Sequence, residues 1–170
     1  MRYKIIGLFA AVALVSACES ASSGGASAGG SGAKPIESYT TPLSSGVMAG
    51  SQEDLVANVG DSVFFDFDMF TLDDEDRATL DKQAAWLKSN PSVSIAVEGH
   101  ADERGTREYN LALGERRANS VKDYLISLGV NPVRLKTISY GKERPVAVGS
   151  SNAAWAQNRR SVSKVGGAGS

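Results

Sequence analysis

The chain has 170 residues and a formal net charge of −1, a length that suits one domain with appendages. So balanced a charge gives no electrostatic reason to expect a nucleic-acid partner. The single cysteine, Cys18, excludes an intrachain disulfide, and the single histidine, His100, excludes a multi-histidine metal centre; neither a metal nor a cofactor is expected.

The N-terminus reads as an address. Arg2 and Lys4 precede an apolar run from Ile5 to Val15, and the small residues Ser16 and Ala17 lead into Cys18. A basic start, a short apolar stretch and a small-residue junction are the parts of a secretory signal, and the run is too short to span a bilayer. Val15, Ser16, Ala17 and Cys18 are similar to a bacterial lipobox, in which the cysteine thiol receives a diacylglycerol and becomes the new N-terminus. The plainer alternative is an ordinary signal with a coincidental cysteine. A lone thiol in an oxidising compartment argues for acylation. Removing residues 1–17 leaves 16 basic residues against 19 acidic, a mature charge of −3.

From Glu19 to about Val56 the chain is dominated by Ser, Gly and Ala, with Pro35 and Pro42. This composition buries too little apolar surface to offset the entropy of ordering. The expectation is a flexible linker over 18–56, with a typical reach of roughly 35 Å for about 40 residues, followed by a folded domain over 57–170.

Within the domain, Val63, Phe65 and Phe67 alternate with Ser62, Phe64 and Asp66, which predicts a strand. Asp73 is a good N-cap, acids crowd the next turn, and Leu80, Ala84 and Leu87 fall at helical spacing, so a helix is expected over Asp73 to Ser89. Asn90 and Pro91 stop it. Val93, Ile95 and Val97 mark a second strand, and Leu111, Gly114, Ala118, Val121, Leu125 and Leu128 a helix from about Glu108 to Leu128, ended by Gly129. A third strand centres on Leu135 to Ser139, a short helix is expected over Ala153 to Asn158, and a last strand over Ser161 to Val165, before a frayed end at Gly166 to Ser170. Strands alternating with helices predict an α/β (α+β) two-layer sandwich with the helices on one face.

The stretch from Glu98 to Ala118 holds the chemistry. It leaves a strand, crosses a loop containing Gly99 and Gly105, and enters the long helix. Asp102 lies in the loop and Arg117 in the first half of the helix, beside a buried side defined by Glu108, Leu111, Ala118 and Val121. An acid and a guanidinium at one strand-to-helix junction suit a ligand carrying both an ammonium and a carboxylate. The same two residues would equally serve as an ion pair fastening loop to helix, and spacing alone does not separate binding from bracing. Glu103, Arg104, Arg107, Glu108 and Glu115 read as a solvated charged surface, and His100 as a structural residue.

Several ordered stretches carry a resemblance: Val63 to Asp68, Glu98 to Gly105, Tyr109 and Asn110, Leu113 to Ala118, Ser139 to Pro145, and Asn158 to Arg160. Over about residues 60–165 the chain resembles the OmpA-like peptidoglycan-binding domain family, and within it the peptidoglycan-associated lipoproteins. Ala101 fits that branch; Arg107 stands where its members often have proline. The resemblance implies a mixed four-stranded sheet in the order 1-4-2-3 with the last strand antiparallel. It implies that the ligand is the meso-diaminopimelate (mDAP) side chain of the peptidoglycan stem peptide. It places the ammonium on Asp102 and the carboxylate on Arg117. Phe67 and Asp68 match a segment that touches the ligand largely through backbone, and Tyr109 and Asn110 match residues that line or brace the pocket. Arg159 and Arg160 match a basic pair of structural or functional role. Acylated Cys18 would sit in the outer-membrane lipid, with the domain in the periplasm. TolB and the other Tol-Pal components are the implied protein partners, with TolB competing for the peptidoglycan site.

Three functions follow from these residues: a non-catalytic cell-wall anchor, a peptidoglycan hydrolase using Asp102 with Glu103 or Glu108, or a scaffold that touches only proteins. The arginines nearby would depress the carboxylates and spoil a general acid, which favours the anchor. Asp102 and Arg117 are both expected to be at least partly exposed, so that removing either abolishes binding with little loss of fold.

Overall fold

A computed structural model describes residues 47–166. The signal, Cys18, the linker up to residue 46 and the last four residues lie outside the described residues.

The elements run α1 (Gln52–Asn58), β1 (Ser62–Phe64), α2 (Asp74–Ser89), β2 (Ile95–His100), α3 (Arg107–Ser127), a 3-10 turn (Pro132–Arg134), β3 (Leu135–Gly141), α4 (Asn152–Asn158) and β4 (Arg160–Val165). The sheet order is β1-β4-β2-β3. β2 pairs with β3 in parallel, and β4 runs antiparallel to both β1 and β2. This is the mixed sheet that the resemblance implies.

Local chemistry sets the helix starts. Asp73 caps α2 by accepting from the backbone N–H of Asp76, and the Asp76 carboxylate accepts in return from Asp73 N, a reciprocal capping box. Asp76 also accepts from Phe64 N, tying the helix start to β1. Thr106 caps α3, and Gly129 follows its end at φ 89°, where a side chain would be strained.

The core lies between the sheet and the α2–α3 layer. Val63, Ile95, Val97 and Leu135 from the strands meet Leu80, Ala84 and Leu87 from α2 and Ala118, Val121 and Leu125 from α3. Residues of opposite parity, Phe64, Glu98, His100, Tyr140, Arg160 and Lys164, belong to the other sheet face, where the His100 and Tyr140 rings stack.

Three expectations are corrected. The segment Gln52–Asn58, placed by composition at the end of the linker, is a capped helix whose Leu55 is buried in the core and whose Asp54 accepts from the Trp86 indole. The folded region thus begins before residue 57. β1 ends at Phe64 rather than continuing to Phe67: Phe65 N still bonds Arg159 O, then the chain turns, with Met69 N on Asp66 O. Phe67 sits on that turn, exposed. Finally, the buried stripe of α3 is Asn110, Leu113, Gly114, Arg117, Ala118, Val121 and Leu125. Glu108 is exposed and Leu111 only half-buried, so the stripe is rotated from the expected one and Arg117 lies at its centre.

Candidate functional site

β2 delivers the loop that carries Asp102, and α3 delivers Arg117 about three turns past its N-cap. The two elements approach closely because both carry glycine at their contact, Gly99 and Gly114. The turn after β1 closes the third side. Phe67, Asp68, Asp102, Tyr109, Asn110 and Arg117 all border one recess of about 170 Å³, together with Arg104, Gly105 and Leu113. The six residues expected to meet the ligand are therefore brought to one place, whereas Arg159 and Arg160 do not border this recess.

The roles differ from the expected ones in two respects. Neither charge is partly exposed: Arg117 is 0% and Asp102 4% exposed. Nor do they brace each other. Arg117 donates from Nε to Met69 O at 2.8 Å, from Nη1 to His100 O at 2.8 Å and from Nη2 to Asp66 O at 3.2 Å. Its guanidinium thus holds the post-β1 turn against the end of β2. Its ring neighbour is Phe65, 5.1 Å from centroid to Cζ. A charge this deep survives because carbonyl dipoles satisfy its donors. Burial, then the nearby Arg159 charge, lower its pKa to about 10, partly opposed by Asp102 and Asp68. It stays a cation at neutral pH.

Asp102 pairs instead with Arg104. Arg104 Nη2 lies 2.6 Å from Oδ2 and Nε 3.1 Å from Oδ1, while Arg104 N also donates to Oδ1. Arg159 approaches Oδ2 at 3.6 Å. Burial pushes the Asp102 carboxyl up, but the hydrogen bonds and charge of Arg104, with Arg159, outweigh it and hold the pKa below the usual value. Asp102 is thus a carboxylate rather than a proton donor, which argues against a hydrolase using it as general acid.

Supporting residues fix this geometry. Asn110, 2% exposed, donates from Nδ2 to Arg104 O and so braces the loop from inside. Lys142 donates to the carbonyls of Glu103 and Gly105. The Tyr109 hydroxyl donates to the Asp68 carboxylate across the mouth of the recess. Asp68 has φ 60°, the left-handed region that Asp tolerates better than most residues.

Sequence reasoning missed Arg104 and Trp155. Arg104, expected on the solvated surface, places its guanidinium 4.1 Å from the ring centroids of both Phe67 and Trp155. The one available signal was its position two residues after Asp102 in a Gly-bearing loop. A larger recess of about 380 Å³ lies between β1, the start of α2 and α4. It contains Asp66, Asp73 and Asp76 with Arg159, but neither Asp102 nor Arg117.

Residues 64–159 match the OmpA family. The chain is 59% identical over 121 residues to the peptidoglycan-associated lipoprotein of Rhizobium meliloti, covering 71% of this chain and 69% of that one. It is 46% identical over 160 residues to the peptidoglycan-associated lipoprotein of Pseudomonas aeruginosa, covering 91% and 94%. Among solved structures it is similar to the peptidoglycan-associated lipoprotein from Burkholderia pseudomallei, with 48% identity, a TM-score of 0.61, and coverage of 62% of this chain and 89% of that one. The C-terminal domain of Helicobacter pylori MotB has the same fold at 25% identity and a TM-score of 0.58, covering 62% and 83%. The chain belongs to the OmpA family. Within that family, relatives between 44% and 59% identical to it are named peptidoglycan-associated lipoproteins.

Proposed function

We propose that this chain is an outer-membrane lipoprotein whose domain binds the mDAP stem peptide of peptidoglycan without covalent chemistry, anchoring the outer membrane to the cell wall. The observation that carries this reading is that ionised Asp102 and charged Arg117 border the same recess.

The free end of mDAP is a zwitterion. Its ammonium is received by the Asp102 carboxylate. Its carboxylate is received by Arg117: a guanidinium has five N–H groups, and three are given to carbonyls. The remaining two are left to donate to the ligand carboxylate as a charge-assisted pair. Phe67 and Asp68 supply the turn that Arg117 holds, and Tyr109 and Asn110 keep the loop and mouth in place. Lysine-type stem peptides lack the terminal carboxylate and leave Arg117 short of a partner, which is the basis of specificity.

The relatives are named for association with peptidoglycan and for lipidation, which supports the anchor over a scaffold that touches only proteins. Cys18 is the acylation site, the segment after it is the leash, and the domain works in the periplasm. TolB and other Tol-Pal components are the protein partners, TolB competing with the wall for the same surface, in a system serving envelope integrity and cell division. The reading requires neither cofactor nor nucleic acid.

Incubating the protein with purified mDAP-type sacculi tests this reading. Co-sedimentation without released fragments is expected. Released muropeptides would indicate a hydrolase, and absence from the pellet a protein-only scaffold; either result removes the anchor reading.

A further inference from the structure

We infer that Asp102, Phe67 and Trp155 form a cation slot that the protein's own Arg104 fills when no ligand is bound, so that a ligand ammonium enters by displacing that side chain. The inference deepens the proposed function and rests on it.

Four observations converge on the slot. The Arg104 guanidinium is bidentate on Asp102. It is sandwiched between two aromatic rings at 4.1 Å each. Trp155 is held in that position by its indole N–H, which donates to Glu103 Oε1 at 3.0 Å. Arg104 itself borders the recess that Asp102 and Arg117 share. A carboxylate flanked by two π-faces is a receptor for a cation in general, and a guanidinium or an ammonium satisfies it. The structure therefore shows the slot with a cation already in it.

The geometry also shows what can move. The Arg104 backbone is fixed: its N–H donates to Asp102 and its carbonyl accepts from Asn110. Its side chain is 34% exposed, so the guanidinium can rotate into solvent with no change in the loop. An incoming ammonium then takes the Asp102 oxygens and the space between the rings.

The energetic consequence is a uniform one. Every ligand that needs the empty slot has its apparent affinity multiplied by the fraction of time the slot is empty, and so weakened. Weak cations that touch only Asp102 fall below useful affinity, while a zwitterion that also engages Arg117 retains enough. Arg104 thus keeps the wall contact exchangeable rather than permanent, and Trp155, from the short helix α4, joins the binding surface.

Two measurements on the full chain test this, with a soluble mDAP-containing tripeptide as ligand. In the first, calorimetry compares the wild type with Arg104→Gln. If the slot is occupied about nine-tenths of the time, the variant binds about tenfold tighter; unchanged or weaker binding overturns the inference. In the second, NMR follows the Arg104 Nε–H and Cδ–H signals of the wild type, which sit between two rings and carry their ring-current shifts. On saturation they are expected to move to the values of a free arginine; signals that stay in place overturn the inference even if the variant folds poorly. Binding by the wild type with no movement of Arg104 refutes the slot alone, whereas no binding by the wild type refutes the slot and the proposed function together.

Discussion

Gly99 on β2 and Gly114 on α3 meet backbone to backbone: a methyl group added at Gly99 would lie 1.8 Å from the Gly114 carbonyl oxygen, and one added at Gly114 would lie 2.8 Å from Gly99 O and 2.4 Å from Ser139 Oγ. This contact sets how near α3 comes to the sheet, and Arg117 sits one turn further along the same helix. Gly99→Ala would force helix and strand apart, because the obstacle is backbone. We expect a loss of about 3 kcal/mol or more, read as a lower urea midpoint, together with loss of sacculus binding as Arg117 moves off its carbonyls.

Arg117 is as much a part of the fold as of the site. Removing its side chain strands three backbone carbonyls, those of Asp66, Met69 and His100. Arg117→Ala should therefore cost about 3–5 kcal/mol, contrary to the expectation of a partly exposed residue that could be deleted harmlessly. Arg117→Lys keeps the charge but cannot reach three acceptors with one fork, and should recover less than half of that loss. Chemical denaturation of the two variants beside the wild type checks both statements.

The helix before β1 belongs to the domain. Leu55 is 1% exposed and packs into the core. Leu55→Ala is expected to destabilise by about 2–4 kcal/mol. A fragment starting at residue 59 should be less stable than one starting at residue 47 by at least as much. Equal urea midpoints for the two fragments would place α1 outside the cooperative unit.

Stability should fall on mild acidification through His100. Its ring is 2% exposed, with neither nitrogen hydrogen-bonded. Burial first, then the charges of Arg160, Arg144 and Lys164, lower its pKa to about 4 from 6.5, and the Glu98 carboxylate 3.8 Å from Nε2 does not offset them. The unfolded chain binds a proton near pH 6.5 that the folded chain refuses until about pH 4. The contribution is thus complete above pH 6.5 and lost as pH falls towards 4, an effect of about 3 kcal/mol in all. Since carboxylates also titrate in acid, the measurement is the difference between wild type and His100→Gln across pH 7.5 to 4.5. The variant should lose less stability over that range, and parallel curves would refute the assignment.

Most of the elements could be read from the residues. Asp73 with Leu80, Ala84 and Leu87 located α2, and Gly129 located the end of α3, because caps and apolar spacing act locally. The phase of α3 could not be read, since spacing rules assign charged and amide residues to the surface. Asn110 and Arg117 are buried instead because backbone carbonyls satisfy them. α1 escaped notice because Leu55 is its one buried residue, too little to make a period. The partner of Asp102 was hidden for a different reason. Arg104 is two residues away in a loop, where no periodicity operates, and the rings that hold it come from positions 67 and 155.

The claim on which the functional account depends is that one recess grips a zwitterion at both of its charges. Calorimetric titration of the full chain with two soluble tripeptides, alike except for mDAP or lysine at the third position, tests it most directly. The account predicts binding of the mDAP peptide and about 100-fold weaker binding of the lysine peptide, the cost of leaving Arg117 without its carboxylate. Equal affinity for the two would contradict it.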